Sequence, residues 1–216
     1  MKKLFLAFLF ILAVFRLVEA RSTWEKDPQS WSEKDCNNIL QRSPWYSETY
    51  APSQFGSDSH YIIRTHCLSP VILLAESRLE QLQKGESQEF LKGLYESKVA
   101  QRGLDKADLL VFRIIPLRGN GWRGQKLHPL YGGDAFLTGL PENITLTKPG
   151  DQRLNPFVVK PLGQGMAEGF EVYFENKDFV TPQTQRIDLV LKTGAGDFKI
   201  KFEPKFWRPV EFKTGF

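Results

Sequence analysis

The sequence has few of the residues from which metal centres and covalent catalytic sites are built. Its 216 residues include only two cysteines and three histidines. It contains no CxxC pair and no Gly-x-Ser-x-Gly segment, whereas structural zinc centres need clustered ligands and α/β-hydrolases carry their nucleophile in that segment. We therefore predict neither a metal ion nor a cofactor.

The chain also has little net charge. It contains 29 Lys and Arg residues against 25 Asp and Glu residues, a formal net charge of +4. An excess this small does not indicate a nucleic-acid-binding protein. With 41% hydrophobic and 25% charged residues, the composition is that of a globular chain rather than a disordered one. The sequence has no internal repeat and no low-complexity tract.

The one long hydrophobic run lies at the N-terminus. Lys2 and Lys3 precede an uninterrupted apolar run from Leu4 to Phe15. Val18-Glu19-Ala20 then places small residues where a signal peptidase cleaves. The run has twelve residues, and crossing a bilayer takes about twenty. We therefore predict a signal peptide at 1–20, export to the periplasm or the medium, and no membrane span after cleavage.

Export changes what the two cysteines imply. An oxidising compartment favours a disulfide between Cys36 and Cys67, which would stabilise the fold by about 3–4 kcal/mol in the chain-entropy model. Two buried thiols that never meet are the alternative. The sequence leaves both open, because a bridge requires Cα atoms within about 7 Å of each other.

The mature chain begins with a helical part, about residues 21–104. Ser32 predicts a helix start, and Asp35 three residues later can complete a capping box. Ser69-Pro70 predicts the start of a second helix, because a capping serine precedes a proline at the first helical position. A third helix is predicted from about Ser87 to Arg102. Between the first two helices we expect one strand at 60–68, after a loop at 47–59 that is rich in Ser, Pro and Gly.

The remaining part, about residues 105–216, has the pattern of successive strands. Apolar and polar residues alternate along several segments, so that Lys199 and Lys201 are expected on the solvated face of a strand. No helix separates these strands, which predicts an antiparallel sandwich or barrel-like arrangement. The expected fold class is thus α+β in a single domain of residues 21–216, with N-terminal helices and one strand followed by a β-rich antiparallel half. The strand candidates are 108–117, 135–138, 144–147, 157–162, 169–175, 187–192 and 197–203.

A segment near the start of the mature chain resembles a known group of exported proteins. It reads Trp31-Ser32-Glu33-Lys34-Asp35, then Ile39-Leu40, then Ser43-Pro44-Trp45, with Arg64 and Ser69-Pro70-Val71 farther along. This pattern resembles a family of exported bacterial proteins of the acidobacterial type, over roughly the first third of the mature chain. The chain departs from that family at Thr65-His66-Cys67, where the family pattern has a Trp-Glu type pair. The resemblance implies export and a bacterial source. The family has no established function, so no site residue follows from it.

A glycine-rich segment supplies the only binding residues that the sequence singles out. Gly119 to Gly124 matches the G-x-G-x-x-G pattern of dinucleotide-binding loops. Such a loop must open a helix, whereas Pro129 follows five residues later, so we interpret the segment as an ordinary loop. Trp122 and Arg123 stand inside it, and exposed Trp and Arg are favoured interface anchors. We predict that these two residues bind a partner; the alternative is that Trp122 folds back onto the sheet.

The histidines do not suggest a metal site. His60, Arg64 and His66 share one side of the expected strand, but the two histidines are separated by about 20 Å along it. The leading functional hypothesis is therefore an exported, non-enzymatic binding or interaction module of the bacterial envelope. Its partner would be a protein or a small ligand in the envelope or the medium. The alternative is a secreted hydrolase whose site is assembled only in three dimensions.

Overall fold

The computed structural model describes residues 23–52, 60–105, 108–118, 142–150, 152–162, 169–181, 183–193 and 196–204. Its helices are α1 (Glu33–Arg42), α2 (Pro70–Lys84) and α3 (Gln88–Arg102), after two short 3-10 turns at Thr23–Glu25 and Pro28–Ser30. Its strands are β1 (Tyr46–Pro52), β2 (His60–Cys67), β3 (Leu109–Arg118), β4 (Ile144–Lys148), β5 (Gln152–Leu154), β6 (Val158–Pro161), β7 (Phe170–Glu175), β8 (Ile187–Thr193) and β9 (Gly196–Phe202). The α+β class is confirmed, with the helices in the N-terminal part.

Each helix begins at the serine that the sequence predicts. The Ser32 hydroxyl accepts a hydrogen bond from the Asp35 backbone N–H at 3.2 Å, and the Asp35 carboxylate accepts the Ser32 N–H at 3.1 Å, which completes the capping box of α1. The Ser69 and Ser87 hydroxyls accept the backbone N–H of Ile72 and Phe90 and so cap α2 and α3, without a reciprocal side-chain bond from Ile72 or Phe90. Helix α2 ends at Gly85, whose φ of +67° lies in the left-handed region that favours glycine.

The strands form two antiparallel sheets. Sheet A has the order β1-β2-β3-β7-β6, and sheet B has the order β5-β4-β8-β9. The edge strands β1 and β9 lie next to each other. The rings of Phe112 in sheet A and Phe202 in sheet B are 5.2 Å apart, so the two sheets share an apolar interior. This arrangement agrees with the predicted antiparallel β-rich half.

The helices pack on the opposite face of sheet A. Arg113 of β3 forms ion pairs with Glu76 of α2 and with Glu171 of β7. Arg102 of α3 also binds Glu171, at 3.0 Å. The imidazole Nε2–H of His66 in β2 donates to the Leu40 carbonyl oxygen of α1 at 2.7 Å. Polar contacts therefore supplement the apolar core where the helices meet the sheet.

Two strands were missed by the sequence analysis. The segment 47–59 was predicted to be a loop, but β1 occupies Tyr46–Pro52 and pairs with β2 from Tyr46↔His66 to Pro52↔His60. Its local composition favours a loop, and pairing with β2 overrides that preference. The three-residue strand β5 pairs with β4 and carries no alternation long enough to be recognised.

The disulfide that export favours is not formed. Cys36 and Cys67 are both buried free thiols and do not lie near each other. The reason is the alternation of β2: His66 faces α1, so the next residue, Cys67, faces the interior beside Phe112. Cys36 belongs to α1, on the other side of sheet A.

Among the described helices, none combines the length and hydrophobicity that a membrane crossing requires. The predicted signal peptide at 1–20 and the strand candidate at 135–138 lie outside the described residues.

Candidate functional site

The outer face of sheet B is polar because its strands alternate strictly. In β9, Phe198, Ile200 and Phe202 are buried, whereas Lys199 and Lys201 are exposed. The same alternation buries Leu189 and Leu191 in β8 and Ile144 and Leu146 in β4. All side chains of the opposite parity therefore point away from the core.

A half-open pocket of about 460 Å³ lies on this outer face. We call it the basic pocket. Of the described side chains that line it, five are basic and two acidic, which gives a net charge of +3. Its volume falls within the range of about 300–1,000 Å³ that is usual for ligand sites. The lining residues are Thr145, Thr147, Lys148, Pro149, Gly150, Arg153, Arg186, Asp188, Val190, Lys192, Asp197 and Lys199.

The register of sheet B brings these residues together from distant parts of the chain. Arg153 of β5 lies opposite Thr147 of β4, which in turn lies opposite Asp188 of β8. Two residues away along the same strands, Thr145 of β4 lies opposite Val190 of β8, and Val190 lies opposite Lys199 of β9. Two threonines and a valine thus form the floor, and basic side chains stand on both sides of it.

The basic side chains differ in how they are neutralised. Arg186 holds Asp188 in a bidentate ion pair, with both N–O distances at 2.7 Å. The Lys148 ammonium lies 4.6 Å from the centre of the Phe179 ring, which is a cation–π contact. Within the described residues, Arg153, Lys192 and Lys199 have no ion-pair partner. These three exposed cations can therefore bind an anion without first breaking an internal pair.

The floor of the basic pocket is shielded by its rim. Val190 is only 7% exposed although it belongs to the outer face. The Thr147 hydroxyl donates to the Asp188 carbonyl oxygen at 3.4 Å and retains its acceptor capacity. The floor therefore offers a small apolar surface and hydroxyl groups to a ligand held by the rim.

The two carboxylates of the basic pocket are poorly placed for glycoside hydrolysis. Asp197 lies opposite Lys192, which is four residues beyond Asp188 along β8. At about 3.3 Å per residue their backbones are roughly 13 Å apart, and the Asp188 carboxylate is already held by Arg186 in a bidentate ion pair. In addition, no serine, cysteine or histidine is among the described residues that line the pocket. Its chemistry is that of ion pairing and hydrogen bonding.

A second charged cluster, on sheet A, is structural. Glu171 is 5% exposed, and its carboxylate accepts hydrogen bonds from Arg102, Arg113 and the Tyr173 hydroxyl. Burial alone would raise the pKa of Glu171, but the hydrogen bond and charge of Arg102, with the charge of Arg113, outweigh burial and lower it. Because every oxygen is occupied by a neighbour, this cluster fastens α3 and α2 to the sheet and leaves no room for a ligand.

The histidine strand holds no metal centre in the described part of the chain. Arg64 and His66 share one face of β2, as predicted, but Arg64 binds Glu48 at 2.9 Å and His66 binds Leu40. Burial lowers the pKa of His66, so the ring is neutral near pH 7. No three His, Cys, Asp or Glu side chains of the described residues come together as metal ligands.

The sequence analysis singled out different residues from those of the basic pocket. Trp122 and Arg123 lie outside the described residues, so their binding role stays a prediction. Lys199 was interpreted as a merely solvated residue; it is exposed, and it also lines the pocket. The signal that could have identified the site is the run of outward-facing basic residues in β8 and β9, but its partner Arg153 comes from a strand that was not recognised.

No protein-family model matches this chain, and no curated protein or solved structure matches it significantly. What the basic pocket does must therefore follow from its own geometry and charge.

Proposed function

We propose that this protein is an exported, non-enzymatic binding protein that holds an anionic ligand in the basic pocket of sheet B. The observation that carries the proposal is the set of three unpaired cations, Arg153, Lys192 and Lys199, around a shielded hydroxyl-bearing floor. Hydrogen bonds to charged groups each contribute about 1.5–3 kcal/mol. Three such contacts are enough for specific binding of a multiply charged ligand.

The composition of the pocket supports binding over hydrolysis. Among the described residues of its lining there is no Ser, Cys or His to act as nucleophile or base, and one of the two carboxylates, Asp188, is held by Arg186. The whole chain has a net charge of only +4. The net charge of +3 among the described residues of the pocket is therefore a local property of the outer face of sheet B and does not follow from the overall composition. The three unpaired cations of the pocket come from β5, β8 and β9 of one four-stranded sheet.

The location follows from the N-terminal pattern. Lys2, Lys3 and the apolar run that follows them have the features of a signal peptide, and the resemblance to exported bacterial proteins favours the same location. Protein produced in an exporting host should begin at Arg21 by N-terminal mass analysis. Mature protein that retains Leu4 to Phe15 would contradict export.

A titration calorimetry experiment tests the binding function. Dextran sulfate, a densely charged polyanion, is titrated into the mature protein and into the variant Arg153→Gln/Lys192→Gln/Lys199→Gln. We expect the wild-type protein to bind and the variant to bind at least about 100-fold more weakly, because three charge-assisted contacts are lost.

The matched control removes the same number of positive charges at positions away from the basic pocket. Arg42 and Lys34 are exposed on α1, and Lys92 is exposed on α3, so the variant Arg42→Gln/Lys34→Gln/Lys92→Gln has the same net charge as the pocket variant. It should bind like the wild-type protein. Equal losses in both variants would show that binding depends on overall charge alone, and the proposed site would be wrong.

A further inference from the structure

The basic pocket has unpaired cations on two sides of a floor that carries no net charge, because Arg186 and Asp188 beside the floor neutralise each other. Arg153 belongs to β5 and Lys199 to β9, which are three strand positions apart in sheet B. At about 4.8 Å per strand, their backbones are roughly 14 Å apart. Thr145, Thr147 and Val190 lie between them. A ligand that satisfies both sides must therefore carry anionic groups at two separated points with an uncharged part between.

The floor restricts what the uncharged part can be. The threonine hydroxyls both donate and accept hydrogen bonds, and Val190 adds a small apolar surface that is 7% exposed. A sugar ring matches this floor, because it carries hydroxyl groups around its edge and C–H groups on its faces. A continuous run of negative charges does not match it, because the middle charges would face the carboxylate of Asp188, which already neutralises Arg186.

Other acidic polymers fit less well. Proteins that bind single-stranded nucleic acids stack bases on aromatic side chains, and no aromatic residue is among the described residues that line the basic pocket. Peptides that bind sheets usually add a strand at an edge, whereas this pocket lies on a face. Polyphosphate has a charge on every unit and no uncharged part.

Resting on the proposed function, we infer that the ligand is an acidic oligosaccharide with carboxylates on alternate sugar rings. One carboxylate lies on the Arg153 side and the next on the side of Lys192 and Lys199. The ring between them contacts the threonine floor.

A panel of defined probes tests this inference on the mature protein at fixed ionic strength. The probes are a hyaluronan hexasaccharide, which has carboxylates on alternate rings; its disaccharide, which has one; neutral chitohexaose; and polyphosphate of the same total charge as the hexasaccharide. We expect the hexasaccharide to bind at least about tenfold more tightly than the disaccharide, because it reaches both cation groups. It should also bind more tightly than polyphosphate, and chitohexaose should not bind detectably.

Single variants test whether both sides of the pocket are used. Arg153→Gln and Lys199→Gln should each weaken binding of the hexasaccharide by about tenfold. Only one of these two variants should weaken binding of the disaccharide, because its single carboxylate contacts one side of the pocket. Lys92→Gln is the control and should change neither.

Two results would overturn the ligand class. One is polyphosphate binding more tightly than the hexasaccharide; the other is equal affinity for hexasaccharide and disaccharide. If these occur while dextran sulfate still binds at the basic pocket, the oligosaccharide assignment fails and the anion-binding function stands. If dextran sulfate also fails to bind, the proposed function itself is wrong.

Discussion

The buried carboxylate of Glu171 gives the sharpest test of how the helices are held to the sheet. Its Oε1 accepts hydrogen bonds from Arg102 at 3.0 Å and from Arg113 at 3.0 Å, and its Oε2 accepts the Tyr173 hydroxyl at 2.9 Å. The side chains of Arg102 and Arg113 are only 14% and 13% exposed. The substitution Glu171→Gln keeps the shape and removes the negative charge that both cations share.

The expected loss is large because Arg102 keeps no anionic partner within the described residues. Its remaining hydrogen bond goes to the Lys98 carbonyl oxygen at 2.9 Å. Removing one member of a buried ion pair costs about 3–5 kcal/mol, so the free energy of unfolding should fall by that amount. Urea unfolding followed by circular dichroism measures it.

Glu80→Gln is the matched control. Glu80 also binds two cations, Lys84 and Lys98, but its side chain is 34% exposed. Pairs of this kind contribute about 0–1 kcal/mol. If Glu171→Gln and Glu80→Gln destabilise equally, the cluster does not fasten the helices, and our account of this contact fails.

The same carboxylate predicts a pH dependence. The hydrogen bond and charge of Arg102, with the charge of Arg113, hold the pKa of Glu171 below the usual value for a glutamate, so its ionised form is favoured in the native state. Its stabilising contribution is therefore fully present above about pH 4.5 and is lost as the pH falls through the native pKa. The stability difference between wild type and Glu171→Gln should narrow in that acidic range. A difference that stays constant there would contradict the assignment.

Three further predictions concern the backbone, a helix cap and the thiols. Gly169→Ala should cost about 3 kcal/mol, because its Cβ would lie 2.4 Å from the Ile114 carbonyl oxygen at a φ of +114°. Gly150→Ala, with no atom within 4 Å, should cost only about 1–2 kcal/mol; equal losses in urea unfolding would refute the close contact. Ser32→Ala should cost about 1 kcal/mol through loss of the capping box, and an unchanged unfolding midpoint would count against it. The native protein should react slowly with a thiol reagent and show two thiols after unfolding, because burial raises the pKa of Cys36 to about 11; no free thiol after unfolding without reductant would contradict the structure.

The helices could be predicted from sequence because their signals are local. The capping serine and the following polar or proline residue lie within one turn, so Ser32 and Ser69 identify helix starts without tertiary information. The strands of the second half were predicted from alternation, which reports burial directly in β9. In β7 the expected solvated face is absent, because Glu171 and Tyr173 are buried as well as Phe170, Val172 and Phe174. Strand β1 could not be predicted because its extended conformation depends on pairing with β2 and not on its own composition.

The basic pocket could not be predicted because it depends on register between distant strands. Lys199 and Arg153 are joined only through β8 and β4. In the sequence, each of these residues is indistinguishable from any other solvent-exposed basic residue on a strand. Their accumulation on one face became visible only when the strand order of sheet B was known.

A lysine-footprinting experiment tests the central claim most directly. The mature protein is acetylated with and without dextran sulfate at about 0.15 M salt, and the rate at each lysine is measured by mass spectrometry. We expect the ligand to slow acetylation of Lys192 and Lys199, which line the basic pocket, and to leave the exposed Lys34 and Lys92 of the helices unchanged. Equal protection of all four lysines, or protection of the helical pair alone, would contradict an anion site on sheet B.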